Sequence, residues 1–386
     1  MEWMGKLLGL DPAFYSGKGH ALIQGSASEA VFIVVAAARY RTLKALEERH
    51  KADPAEVSQR LVIYASDQCH SCTEKAARIL NIRYRALPTD STCVLRAETV
   101  LRAIHDDQRQ GLIPIYITST FGTTPTAAID DIDGIADICE EHGLWHHVDA
   151  AYAGSSLVCP EFRPLAQGYN RADSFSSNMH KWLLVHFDCS LFYTKHREVI
   201  KETMSVVPNY QRYREYDEGK VENLSDYQIP MGNRFRALKI WFTVRSYGAS
   251  GLQRFIRYHI ELTALLHHQI AQDDRFEVLN RVDFGLICFR ITPAVALSAT
   301  NQSRAGTVNG HAEDAETALT AANRVNWGLF DHINASGVYL SRGYIGRKFI
   351  IRVSIGSFKS DRTSTDLIWD TISRCAREVL DGTVTC

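Results

Sequence analysis

Short apolar and β-branched runs alternate with longer stretches of helical period along the first half of the chain. RLVIYAS (60–66), IPIYITST (113–120), LWHHVDA (144–150) and SLFYT (190–194) each read as a strand. Strands alternating with helices predict a mainly parallel sheet covered on both faces, with ligands bound beyond the carboxyl ends of the strands. Between residues 207 and 230 the pattern fails. VPNYQRYREYDEGKVENLSDYQIP is polar, charged and tyrosine-rich, and predicts a long mobile loop of the kind that serves as a lid. Beyond the helical stretch RFRALKIWFTVRSYG (234–248), strands at GLICFRI (285–291) and KFIIRVSI (348–355) among helical sequence predict a smaller α+β domain. Between them, ALSATNQSRAGTVNGHAEDAE (296–316) is rich in small residues and predicts an exposed or disordered insertion. The expected division is a large domain over residues 1–245 and a C-terminal domain over 246–386.

The chain has 386 residues, enough for one large domain and a smaller one. Lys and Arg number 43 against 44 Asp and Glu, a formal net charge of -1, so no global field recruits nucleic acid or an anionic membrane. The opening MEWMGKLLGL lacks the apolar core of a signal peptide, and VFIVVAAA (31–38) is too short to cross a bilayer. A soluble cytoplasmic protein is expected, with a small molecule rather than nucleic acid or membrane as its partner. Nine cysteines are scattered, and the close pair Cys69 and Cys72 has no second pair to complete a metal site, so none is expected.

The stretch SFSSNMHKWLLVHFDC (174–189) places Lys181 among Trp182, Leu183 and Leu184. Two readings follow. The stem packs and the charge snorkels to the surface, or the amine loses its charge by bonding a carbonyl cofactor. Four further stretches bear on the choice. QGSASEAVF (24–32) sets hydroxyls and backbone N–H groups at a helix start, which serves as a cap or as a phosphate cradle. In HVDAAYAGS (147–155), Asp149 closes an apolar strand, where it caps a turn or pairs with a protonated ring nitrogen. STFGTTPTAAID (119–130) ends a strand in hydroxyls suited to a turn or to substrate contacts. ASDQCHS (65–71) ends another with His70, either a satisfied histidine or a stacking group. Together they offer an anion cradle, a ring-nitrogen partner, a flat stacking group and an amine, the parts that pyridoxal phosphate requires.

SFSSNMHKWLLVHFDCSLFYTK (174–195) resembles the pyridoxal-phosphate attachment signature of the group II amino-acid decarboxylases, including the spacing of Ser174, Lys181, Cys189 and Lys195. With HVDAAYAGS, QGSASEA and SDQCHS, the resemblance is to the aromatic-L-amino-acid decarboxylase branch. It implies the type I fold of pyridoxal-phosphate-dependent transferases, a mainly parallel seven-stranded sheet with a smaller C-terminal α+β domain, acting as a homodimer. It further implies that Lys181 carries pyridoxal 5'-phosphate, with His180 beside it at the phosphate or the proton-transfer site. Asp149 would hold the pyridine nitrogen protonated, Ala151 and His70 would cover the two ring faces, and Ser26, Ala27, Ser28 and Asn178 would hold the phosphate. Thr120 would lie near cofactor and substrate. Tyr210, in VVPNYQRY, stands where the family has the loop tyrosine linked to protonation of Cα. Related aldehyde synthases carry phenylalanine there and let oxygen capture the carbanion, so Tyr210 implies an amine product.

Gly232, in IPMGNRF, falls where some plant relatives separate indolic substrates (glycine) from phenolic ones (serine), and His180 stands where animal histidine decarboxylases tend to have serine. The resemblance thus implies an aromatic substrate, tryptophan-like or dopa-like. The chain departs from the family in two places. Met179 stands where the family has proline, loosening a fixed φ beside the lysine. MEWMGKLLGLDPAFY matches a helix well inside the family sequence, so a preceding segment that wraps the partner subunit is expected to be missing and apolar surface to be exposed on the large domain. Three activities are consistent with these residues: an aromatic-amino-acid decarboxylase, an aldehyde synthase of the same family, and a truncated, non-catalytic cofactor-binding paralogue.

Overall fold

The structure is a computed structural model that describes residues 1–51, 53–206, 214, 218, 220–303 and 315–383. The chain divides into two compact units, Met1–Thr124 with Ala128–Ile256, and Pro125–Ala127 with Arg257–Cys386.

The first unit is built on seven strands: β1 (His20–Gln24), β2 (Leu61–Ser66), β3 (Arg83–Leu87), β4 (Ile113–Thr120), β5 (Trp145–Asp149), β6 (Ser174–Asn178) and β7 (Ser190–Thr194). Their order is β1-β7-β6-β5-β4-β2-β3. β3, β2, β4, β5 and β6 run parallel, whereas β7 is antiparallel to both β6 and β1. As expected, the sheet is mainly parallel and its interior strands are buried on both faces, which is why they read as near-continuous apolar runs. Alternation along β2 sends Leu61 and Ile63 into one core and Val62 and Tyr64 into the other. Helix Ala27–His50 fills the first core through Ala30, Val31, Ile33, Val34, Val35, Ala37 and Ala38, none of them exposed. That burial explains the longest apolar run in the sequence. Helices Ala97–Arg109 and Ile132–His142 cover the other face.

The second unit carries an antiparallel sheet of four strands, β8 (Phe276–Val278), β9 (Leu286–Ile291), β10 (Ser341–Ile345) and β11 (Lys348–Ser354), in the order β10-β11-β9-β8. Helices Ala315–Ala335 and Arg362–Leu380 pack on it. Among the described residues, no helix is long and apolar enough to cross a membrane.

Two sequence expectations change. The insertion expected over 296–316 is helical at both ends, in Pro293–Ser303 and from Ala315 onward, while 304–314 lie outside the described residues. Ala296 is fully buried in the C-terminal core, an anchor that a small-residue composition conceals. Similarly, the expected loop over 207–230 ends in a packed turn, Leu224–Tyr227, in which Asp226 and Tyr227 are buried. Tyr227 stacks on His20 with centroids 4.1 Å apart, and Arg197 Nε donates to its hydroxyl at 3.0 Å. Those partners lie far away in sequence, so local polarity did not reveal the burial.

Under the sheet edge, β5 carries two fully buried imidazoles. His146 Nε2 lies 2.6 Å from Ser119 Oγ, and His147 Nδ1 lies 2.8 Å from Ser174 Oγ. Burial pulls both rings down to about 4, against an ordinary 6.5. Because the folded values lie below the unfolded one, their contribution to stability is complete above pH 6.5 and is lost as the pH falls toward 4. Across that window the unfolding free energy is expected to fall by up to about 2.7 kcal/mol per pH unit for the two protons together. Urea midpoints measured through the window check this, and His147→Asn should remove about half of the slope.

Candidate active site

Chain direction brings the predicted residues to one sheet edge. β4, β5 and β6 are parallel, and their register sets Thr120 beside Asp149 and Asp149 beside Ser176, with Asn178 closing β6. β2 runs parallel to β4, so its carboxyl end leads to His70 at the same edge. β1 is antiparallel to β7, which is antiparallel to β6, so Gln24 also ends there and the chain continues into Ser26, Ala27 and Ser28. Ser26, Ala27, Ser28, His70, Thr120, Asp149 and Asn178, with Ala151, His180 and Lys181, line a cavity of about 180 Å³ in the first unit.

Ser26 caps helix Ala27–His50, its Oγ accepting the Glu29 N–H at 3.3 Å. The N–H groups of Ala27 and Ser28 are in the first turn, where no carbonyl of the helix reaches them, and they border the cavity. Asp149 is only 3% exposed, and its Oδ1 accepts the Ala151 N–H at 2.9 Å. Thr120 is held by Asp130, whose Oδ2 accepts the Thr120 N–H at 2.8 Å while its Oδ1 accepts that of Leu95 at 3.0 Å. Burial pushes Asp130 up to about 7 even though the two backbone donors oppose it. Thr120 Oγ1 and Asn178 Oδ1 are buried with no hydrogen-bond partner among the described residues. They are free to serve whatever occupies the cavity.

Cys72 N–H donates to His70 Nδ1 at 3.2 Å, and Cys189 N–H donates to His180 Nδ1 at 2.8 Å. The neutral His180 ring therefore keeps its proton on Nε2. Burial, aided by the Lys181 and Lys239 ammonium groups, holds the His180 pKa below its ordinary value. Lys181 sits in the single helical turn Met179–Trp182 that follows β6. It is exposed, whereas Trp182 and Leu183 are buried. The apolar neighbours thus face the core, and Lys181 borders the cavity.

Tyr210 lies outside the described residues. Gly232 is exposed and does not line the cavity, and a Cβ there would meet nothing within 4 Å. Four lining residues were not singled out: Gly122, Thr124, Tyr152 and Phe187. All fall inside stretches already flagged, but composition does not show which hydroxyl of STFGTT faces inward. Tyr152 stacks on Trp182, with centroids 5.3 Å apart. Phe187 lies 4.3 Å from the His180 ring on a loop tied down by Arg236 Nη2, which donates to Asp188 Oδ2 at 2.7 Å, and by Lys239 Nζ, which donates to the Asp188 carbonyl at 2.7 Å. The Arg236 contact, with Lys239 nearby, holds the Asp188 carboxyl down to about 2.

An amine, a buried carboxylate, two imidazoles and a helix N-terminus around one small cavity suit a flat anionic ligand that carries an electrophilic carbon and a basic ring atom. Residues 1–292 match the pyridoxal-dependent decarboxylase conserved domain. The chain is 38% identical to the aromatic-L-amino-acid decarboxylase of Bos taurus over 388 residues, spanning 98% of this chain and 73% of that one. Among solved structures, it matches Oryza sativa TDC with PLP and tryptamine at a TM-score of 0.88 and 32% identity, over 98% of this chain and 75% of that one. Rhodiola rosea 4-hydroxyphenylacetaldehyde synthase matches at a TM-score of 0.83 and 31% identity, over 98% and 74%.

Gly122 provides a test of the cavity wall. Its φ is +87°, and an added Cβ would lie 2.5 Å from the Ala153 Cβ. Gly122→Ala is expected to cost about 2 to 4 kcal/mol through the combined strain and clash, read as a lower urea midpoint at unchanged slope.

Proposed function

The chain belongs to the pyridoxal-dependent decarboxylase family, and from that premise we propose that it converts an aromatic L-amino acid to the amine and carbon dioxide. The observation that carries this reading is the meeting of Lys181, buried Asp149 and the N-terminus of helix Ala27–His50 around one cavity. The family's cofactor is pyridoxal phosphate, which when bound supplies an electron sink for the pair released as the α-carboxylate departs. The donor set fits it. Thr120 Oγ1 is a buried hydroxyl awaiting a partner, and the first turn of Ala27–His50 presents free N–H groups.

In this reading, Lys181 Nζ would hold the cofactor covalently. Asp149 would keep a proton on the ring nitrogen by pairing with it. The N–H groups of Ala27 and Ser28, the Ser26 and Ser28 hydroxyls and the Asn178 amide would hold the phosphate. His70 and Ala151 would cover the two ring faces, and Thr120 would lie near the substrate. His180, neutral at physiological pH and protonated on Nε2, holds a proton beside Lys181. Tyr210 is assigned protonation of Cα, and Gly232 is assigned to substrate choice, with tryptophan-like or dopa-like substrates preferred. A homodimer is supported by an apolar groove of about 600 Å³ in the first unit, where Trp3, Phe235 and Trp241 are 58%, 76% and 48% exposed. The described cysteines are all free thiols, consistent with a cytoplasmic setting.

Lys181→Ala should lower amine formation by at least about 10³-fold and abolish cofactor retention after borohydride reduction; retained turnover would overturn the reading. Tyr210→Phe should divert the product from the amine toward the aldehyde, with oxygen consumed and ammonia and hydrogen peroxide released. Peroxide measured per carbon dioxide checks this, and a ratio near zero would remove Tyr210 from the protonation step.

A further inference from the structure

In the second unit, the last turns of two helices bring together side chains that the proposed reaction leaves unused. His332 lies in the last turn of Ala315–Ala335. Cys375 and Glu378 lie three residues apart near the end of Arg362–Leu380, a spacing that puts them on one helix face. His332 Nε2 is 2.6 Å from Glu378 Oε2, and the imidazole, thiol and carboxylate ligand atoms all lie within 4.8 Å of one another. Cys375 is buried, and the other two are half-buried.

We propose that His332, Cys375 and Glu378 bind one divalent transition cation of the zinc class, with water in the fourth position. One nitrogen, one sulfur and one carboxylate oxygen are the donor set of a four-coordinate zinc site, and magnesium or calcium would not select the thiol. A thiolate and a carboxylate together balance the charge of a dication. The position adds to the case: the carbonyl ends of both helices converge there, and each favours positive charge. Ser336 Oγ donates to the His332 carbonyl at 2.9 Å and lies 3.4 Å from Cys375 Sγ, so it links the imidazole-bearing turn to the thiol. Arg374 shares Glu378, its Nη1 lying 3.1 Å from Oε2, but its side chain is 50% exposed and can withdraw into water as the cation arrives. An ion-pair cluster would account for His332, Arg374 and Glu378 and core packing for Cys375, and the variants below separate that arrangement from a metal site.

Binding forms three metal–ligand bonds and releases the Cys375 thiol proton to solvent; the proton that His332 Nε2 donates to Glu378 leaves that nitrogen through solvent, so that the neutral ring keeps its single proton on Nδ1. The His332–Glu378 contact must open from 2.6 Å to roughly 3.3 Å, the spacing set by tetrahedral bonds of about 2.0 to 2.1 Å.

The test uses the full chain loaded with pyridoxal phosphate, titrated with cobalt(II) and then with zinc. The expected result is one cobalt per chain with intense visible bands of a four-coordinate site, displaced by zinc, and a sulfur-to-metal band absent from Cys375→Ser. His332→Gln and Cys375→Ser should each weaken zinc binding by at least about 100-fold while leaving amine formation and circular dichroism unchanged. Glu378→Gln, at a half-buried position, gives the same readout should the buried-site variant not fold. Cobalt bands that persist equally in the folded variants, or the absence of any stoichiometric four-coordinate spectrum, would overturn the site. Loss of decarboxylation with metal binding intact would count against the proposed function and not against this site.

Discussion

A carboxylate buried at the end of an interior strand must be hydrogen-bonded or meet a cation, and Asp149 is held at the end of β5 with 3% of its surface exposed. Its Oδ1 takes the Ala151 N–H, which orients the group along the sheet edge. The other lining residues are arranged around that carboxyl group. Parallel β4 and β6 place Thr120 and Asn178 on either side of it, and the turn after β6 delivers Lys181 to the same cavity. A cationic ring nitrogen against Asp149 would satisfy the carboxylate, orient the ring, and bring its carbonyl and phosphate within the reach of an amine and a helix N-terminus.

Support for this arrangement comes from the cavity wall and from residues behind it. Asp130 pins the last residue of β4 by accepting the Thr120 N–H, and the positive φ of Gly122 lets the chain turn away against Ala153. Arg236 and Lys239 tie the loop that carries Phe187 beside His180. The buried His146 and His147 stay neutral and serve as hydrogen-bonding struts beneath the edge, a role distinct from that of the two imidazoles that line the cavity.

Much of the sheet was legible because β2, β4, β5 and β7 are buried on both faces and therefore read as apolar runs. β3 was not, since it is an edge strand with only Leu87 buried, and β10 was not, since it is mostly exposed. Site residues were legible where strand ends carried unusual chemistry, as at Asp149 and Lys181. The sequence could not show that Lys181 is exposed while Trp182 is buried, because a single helical turn sends neighbouring residues to opposite sides. Nor could it separate Thr124 from its neighbours in STFGTT, or show that Tyr227 is buried, since that depends on His20 and Arg197. The zinc-class site escaped for a similar reason: His332 and Cys375 stand on different helices, so no short motif announces them.

The most direct measurement is nitrogen NMR of the full chain loaded with pyridoxal phosphate labelled at the ring nitrogen, in the wild type and in Asp149→Asn. A protonated ring nitrogen in the wild type that becomes neutral in the variant is the predicted result. A neutral nitrogen in the wild type, or a protonated one that ignores the substitution, would contradict the role of Asp149 on which the site is built.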